Sequence, residues 1–154
     1  MGYRSATVGV ALLAALALFA GCSGRQEAKS AAREQSHIKT LAILYGTYVG
    51  SHRGQVPPNE AAFKQYVEAS TAQGRAGVTV ADPQSLFVSE RDSQPYVILY
   101  GDAARRAPPG GPAGAAVVIY EQVGVDGMRF VASNMGAVEE VDQERFKHLV
   151  SRER

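Results

Sequence analysis

Tryptophan is absent from this 154-residue chain, cysteine occurs once and histidine only three times. Aromatic packing therefore falls to the seven tyrosines and five phenylalanines. One cysteine can neither close an intramolecular disulfide nor build a multi-cysteine metal site. His37, His52 and His148 are scattered, and no H-E-x-x-H pair places two of them on one helix face. Charge of either sign is barely in excess: 16 Lys+Arg against 15 Asp+Glu leave +1. That balance gives no general electrostatic reason to expect nucleic acid as a partner. No G-x-S-x-G nucleophile turn is present, nor a G-x-G-x-x-G or G-x-x-x-x-G-K-[ST] phosphate loop. Glu139 and Glu140 are the nearest approach to a carboxylate pair, but adjacent residues on a strand point to opposite faces and cannot bracket one bond. The sequence offers no catalytic residue, cofactor site or metal site, and the expectation is a protein that is not an enzyme.

Long apolar runs are also missing, with one informative exception. Ser5 to Gly24 carries no charge, Arg4 precedes it, and Val8 to Ala20 is continuously apolar or small. A helix of that core is about 20 Å long, short of the ~30 Å hydrocarbon thickness of a bilayer. A basic start, a short apolar centre and small residues after it describe a secretory signal peptide. Its end, Leu18-Phe19-Ala20-Gly21-Cys22, resembles the lipobox of bacterial lipoproteins, with Phe19 where that family most often has leucine. The resemblance implies diacylglyceryl attachment to the Cys22 sulfur, cleavage before Cys22 and, in many bacteria, acylation of the new amino terminus. Two or three acyl chains, at ~0.8 kcal/mol per buried methylene, hold a protein stably on a membrane. Ser23, where aspartate resembles an inner-membrane retention signal, favours the periplasmic side of the outer membrane over the inner membrane. The organisation implied is a signal peptide over 1–21, a lipid-anchored tether over 22–30 and a single domain over 31–154. Loss of Arg4 with the leader takes the 16 basic residues to 15, level with the 15 acidic ones.

Within the domain, Ile38, Leu41, Tyr45, Tyr48 and His52 recur at spacings of three and four, predicting a helix from about Ala28 to His52. Gly54 and Pro57-Pro58 end it. Asn59 is suited to cap a second helix, Glu60 to about Ala69, with Ala62, Phe63, Tyr66 and Val67 on its apolar face. Residues 71–77 read as loop and Val78 to Val80 as a short extended piece. Leu86-Phe87-Val88 and Tyr96 to Tyr100 read as strands around the polar turn Glu90-Arg91-Asp92, whose ion pairs are expected to be local and weak. Ala116 to Val123 and Met128 to Ser133 flank Asp126-Gly127, a hairpin signal. Asn134-Met135-Gly136 turns the chain into Ala137 to Val141. Asp142 then caps a last helix bearing Phe146, Leu149 and Val150. The fifteen residues 101–115 hold four glycines, three prolines and five alanines, and read as a flexible surface loop.

These elements make an α+β domain: a long amino-terminal amphipathic helix on an antiparallel β-meander, with a short second helix and a carboxyl-terminal one. Ile98, Ile119 and Phe130 are expected beneath the long helix, while Val97, Leu99 and Val118 are expected to lie open on the other sheet face unless loops or a partner cover them. The order resembles the globular part of type II secretion pseudopilins and of planctomycete pilin-like proteins. The segments that carry the resemblance are Tyr48 to Pro58, Leu86 to Val97 and Gly124 to Val138, and it spans roughly residues 31–150. The Phe-Thr-Leu-x-Glu segment of that family is not found, so attachment by lipid replaces its fibre-forming amino-terminal helix. Some members bind calcium, but Asp126 beside Gly127 offers too few oxygens for a 6–8-coordinate site. The expected function is a non-catalytic envelope lipoprotein that docks to another envelope protein. The alternative is a small-ligand-binding periplasmic module, with a site between the long helix and residues 101–115 lined by Tyr45, Tyr48, Tyr96 or Tyr100.

Overall fold

A computed structural model describes residues 36–150. The expected leader and tether, Cys22 and the first turns of the expected helix from Ala28 lie outside the described residues. Helix α1 spans His37–Ser51. It ends where expected: Arg53 and Gly54 both take left-handed φ values, of 57° and 84°, and the Gly54 N–H reaches back to the Val49 carbonyl at 2.8 Å. Such a reversal is a common helix stop, and glycine adopts it without a Cβ penalty. Helix α2, Glu60–Ala72, runs three residues past the expected end. Asn59 caps it as expected, its Oδ1 accepting the Ala62 N–H at 2.9 Å. Arg75–Gly77 forms a 3₁₀ turn in the stretch read as loop, and Val78 to Val80 joins no strand.

The Leu86-Phe87-Val88 strand is a correction. Pro83–Phe87 is a 3₁₀ helix, because Pro83 fixes φ at its first position and Asp82 accepts the Gln84 N–H at 3.0 Å. Only Val88 keeps strand character, in a single bridge to Pro95. The four-stranded antiparallel sheet runs β1 (Val97–Ile98), β2 (Val117–Tyr120), β3 (Met128–Ser133) and β4 (Val138–Asp142), paired in that order as a meander. Asp126 and Gly127, at φ 53° and 76°, make the tight β2–β3 turn, and Val125 and Met128 exchange both hydrogen bonds across it at 2.9 Å. Helix α3, Gly101–Arg105, and a 3₁₀ turn at Pro112–Gly114 occupy the segment expected as a flexible loop, which buries Ala104 and Pro112. Helix α4, Gln143–Val150, follows β4 directly, with Asp142 Oδ1 accepting the Arg145 N–H at 2.8 Å.

Two apolar clusters form on the two faces of the sheet. One joins Ile38, Leu41 and Tyr45 of α1, Phe63 and Val67 of α2, Leu86 and Phe87 to the sheet residues Ile119, Phe130 and Ala132. Ile98 packs against it half-buried, so all three residues expected beneath the long helix are found there. The second cluster seats Phe146 and Leu149 of α4 on Val117, Val131 and Val141. The expected open face is therefore largely covered, by the chain's own last helix. Val118 belongs to the first cluster rather than the open face, because a register shift between Val117 and Ile119 inserts it as an extra residue and breaks the alternation. Val97 and Leu99 are half-buried. Among the described residues no helix is long and apolar enough to cross a membrane.

Candidate functional site

The tyrosines proposed to line a ligand site do not form one. Tyr45 is fully buried, stands edge-on to Phe63 at 5.3 Å between ring centres, and donates its hydroxyl to the Leu99 carbonyl at 2.9 Å. Tyr48 and Tyr96 are buried as well, so the seam between α1 and the sheet is packed. Burial pushes the hydroxyls of Tyr45, Tyr96 and Tyr100 well above the ordinary tyrosine range. Among the described residues, a shallow groove of about 150 Å³ lies instead on the opposite face, between the 103–108 segment and α4. Leu99, Val117, Tyr120 and Leu149 line it, with Arg106 beside them. Arg106 and Arg105 both turn to Asp102, at 3.5 and 2.7 Å, and draw its carboxyl below the usual range through the Arg105 hydrogen bond first and then the two positive charges.

The histidines are likewise held apart. His52 stacks on Tyr48 with ring centres 3.9 Å apart, and its Nδ1 lies 2.8 Å from the Tyr48 carbonyl, so it closes the end of α1. His148 is exposed on α4. His37 stands at the start of α1, where its Nδ1 donates to the Val88 carbonyl at 2.9 Å. No group of three or more His, Cys, Asp or Glu able to hold a metal ion occurs among the described residues.

Polar chemistry concentrates at the Ser89–Gln94 turn, and here the expectation of local ion pairs is corrected. Glu90 reaches α1: both its oxygens accept the His37 backbone N–H, at 3.0 and 3.2 Å, while His37 Nε2 lies 3.4 Å from Oε1. The Ser36 side chain does not cap this helix, so a carboxylate 53 residues away supplies the anionic partner that a helix amino terminus favours. Arg91 reaches the sheet. Its guanidinium lies 4.1 Å over the Phe130 ring, Nη1 is 3.0 Å from Glu140 and Nε 3.8 Å from Glu121. The Glu140 contact is an ion pair rather than an aligned hydrogen bond. Asp92 reaches the β2–β3 hairpin, accepting the Gly124 N–H at 2.7 Å and the Gln94 N–H at 3.0 Å. Partial burial opposes its charge, but these N–H groups with Ser89 and Val123 outweigh that and hold its carboxyl below the usual range.

Glu121 lies at the centre of this arrangement with no solvent exposure. Its Oε1 accepts from the Ser89 hydroxyl at 2.9 Å and its Oε2 from the Phe130 N–H at 2.8 Å. Burial pushes its carboxyl above the ordinary range, against the pull of Phe130, Ser89 and Arg91. Glu121 belongs to none of the sequence motifs. Strand alternation carried a signal, since Glu121 stands two places after Ile119 and so on the same core-facing side. Glu139 and Glu140 separate as expected, Glu139 lying 4.0 Å from Arg145 and Glu140 turning to Arg91.

Comparison of the chain with family models, with curated proteins and with solved structures finds no match.

Proposed function

We propose that this chain is a lipid-anchored protein of the bacterial cell envelope, held by Cys22, whose pseudopilin-like α+β domain works without catalysis by docking to another envelope protein. The observation that carries the reading is the placing of the only cysteine directly after Ala20-Gly21, at the end of an apolar run too short to span a bilayer. Ser23 favours the outer membrane, on its periplasmic side. The covered second face of the sheet takes away one argument for docking, and the exposed apolar side chains Val88, Val123 and Met135 are single residues. Docking therefore rests on the anchor and the pilin-like order of elements.

Replacement of Cys22 by serine tests the anchor. Wild-type protein should incorporate a palmitate analogue and lose its leader, whereas C22S should take up no label and should keep its leader. A C22S protein that is processed and labelled as wild type is would end the lipoprotein reading. Cross-linking of the anchored protein in cells tests docking, and a particle that stays strictly monomeric there would count against it. A second reading, small-ligand binding, is served by the groove between the 103–108 segment and α4. An Ala107→Trp substitution, which fills that groove from the 103–108 segment and leaves the α4 cluster untouched, should abolish any saturable ligand binding if this reading holds.

A further inference from the structure

The groove beside α4 combines an apolar lining with a cation that has donors to offer. Ala103 and Ala107 carry no more than a methyl group, so the 103–108 segment lies along α4 without filling the space between them. Leu99, Val117, Leu149 and Val150 make most of the remaining lining apolar. A volume of about 150 Å³ matches that of an engineered apolar cavity, in another protein, that holds one benzene molecule. Polar groups stand at two places. Arg105 grips Asp102 through both Nε and Nη2, at 3.2 and 2.7 Å from the same oxygen. Arg106 lies 3.5 Å from the other oxygen, an ion pair without an aligned hydrogen bond. Among the described residues no group accepts a side-chain hydrogen bond from Arg106. Tyr120 is the second place. Its hydroxyl has no hydrogen-bond partner among the described residues, and partial burial raises its pKa, so it keeps its proton and can donate.

We propose that this groove binds a small apolar monocarboxylate, a straight chain of about six carbons or a single aromatic ring, with its carboxylate on Arg106. The inference rests on the small-ligand reading of the groove and names the class of ligand. Two guanidiniums share one carboxylate at the groove's edge, which leaves a single positive charge in surplus. That surplus matches a monoanion. The planar guanidinium fork meets a carboxylate through two parallel N–H bonds, a geometry that an ammonium does not supply. A wholly apolar occupant, the expected acyl chains of Cys22 included, leaves the Arg106 donors unused. An anion without an apolar body leaves Leu149 and Val117 facing water. Arg129, the other cation acting on Tyr120, is seated over the Phe146 ring at 4.5 Å. Arg106 is therefore the cation placed to receive the ligand.

Methyl NMR of the full-length protein in lipid nanodiscs, titrated near neutral pH with hexanoate, tests this. The Val117 and Leu149 methyl signals should shift saturably while those of Leu41, in the other cluster, stay in place. Hexan-1-ol, the same body without the charge, should bind about tenfold or more weakly. Arg106→Gln should weaken hexanoate binding about tenfold and leave hexanol binding unchanged, a split that a merely structural role of Arg106 does not produce. Ala107→Trp should remove the binding of both. No saturable shift with either compound would overturn the small-ligand reading and this inference together. Equal affinity for the acid and the alcohol, or unweakened hexanoate binding in R106Q, would overturn this inference and leave the small-ligand reading standing. Tighter binding of hexyl phosphate than of hexanoate would do the same. Shifts of Val117 and Leu149 that follow protein concentration without ligand would give the groove to a second copy of the chain and overturn the proposal. Hexanoate binding that appears only on deletion of residues 151–154 would give it to the chain's own end, with the same consequence.

Discussion

Gly46 and Gly50 sit one turn apart on α1, and alanine at the two positions should act in opposite directions. Within a helix alanine is favoured over glycine by ~1 kcal/mol. At Gly50 nothing lies within 4 Å of an added methyl group, so that gain stands and G50A should be more stable by about 0.5–1 kcal/mol. At Gly46 the methyl carbon would sit 2.7 Å from the Asn134 carbonyl oxygen. The obstacle is backbone of the β3–β4 turn, tied down by Gly136 N–H to Ser133 at 3.1 Å and Ser133 N–H to Ala137 at 2.9 Å. Forcing an added group into a tight contact costs ~1–3 kcal/mol, so against the propensity gain G46A should lose up to ~2 kcal/mol. For a domain of this size a loss of ~1 kcal/mol lowers Tm by about 4 °C. Urea and thermal unfolding of the two variants side by side read the difference. A G46A protein as stabilised as G50A would refute the close approach of the turn to α1.

Asp92 and Glu121 should show opposite linkage to pH. The folded pKa of Asp92 is depressed, so its contribution is present above the unfolded value near ~3.9 and is lost as pH falls through the folded value. Asp92→Asn should cost ~1 kcal/mol near neutrality, because one of the Gly124 and Gln94 N–H groups then faces an amide NH₂, and the gap from wild type should close in acid. The folded pKa of Glu121 is raised, so its ionised form detracts from stability above that value, and the penalty fades as pH falls toward the ordinary glutamate range. In E121Q, the part of the pH dependence that rises toward acid should be missing from urea-unfolding curves. Asn59→Ala should cost ~1 kcal/mol in the same assay and Asn59→Asp should recover it, since the cap is one side-chain oxygen on the Ala62 N–H.

Signals confined to a few neighbouring residues were legible in the sequence: the Asn59 and Asp142 caps, the left-handed Asp126-Gly127 turn and the α1 stop at Gly54. Each depends on backbone geometry that the residue and its near neighbours fix among themselves. The meander followed from them, because short turns leave consecutive strands little choice but to pair. Leu86-Phe87-Val88 reads as a strand in the sequence because so short an apolar run carries no period, whereas Pro83 with the Asp82 cap imposes a 3₁₀ turn.

What the sequence alone determined about this protein is the position of its single cysteine behind a short apolar run and the α+β order of its elements. Only the tertiary structure decided where the polar residues go. Glu90, Arg91 and Asp92 are adjacent in the chain yet reach α1, the sheet and the β2–β3 hairpin respectively. Glu121 is enclosed by groups 9 and 32 residues away. A long polar side chain can meet any partner that folding brings within reach, and a charge shut away from water must be matched by whatever arrives there. That matching is a property of packing, and no local pattern records it.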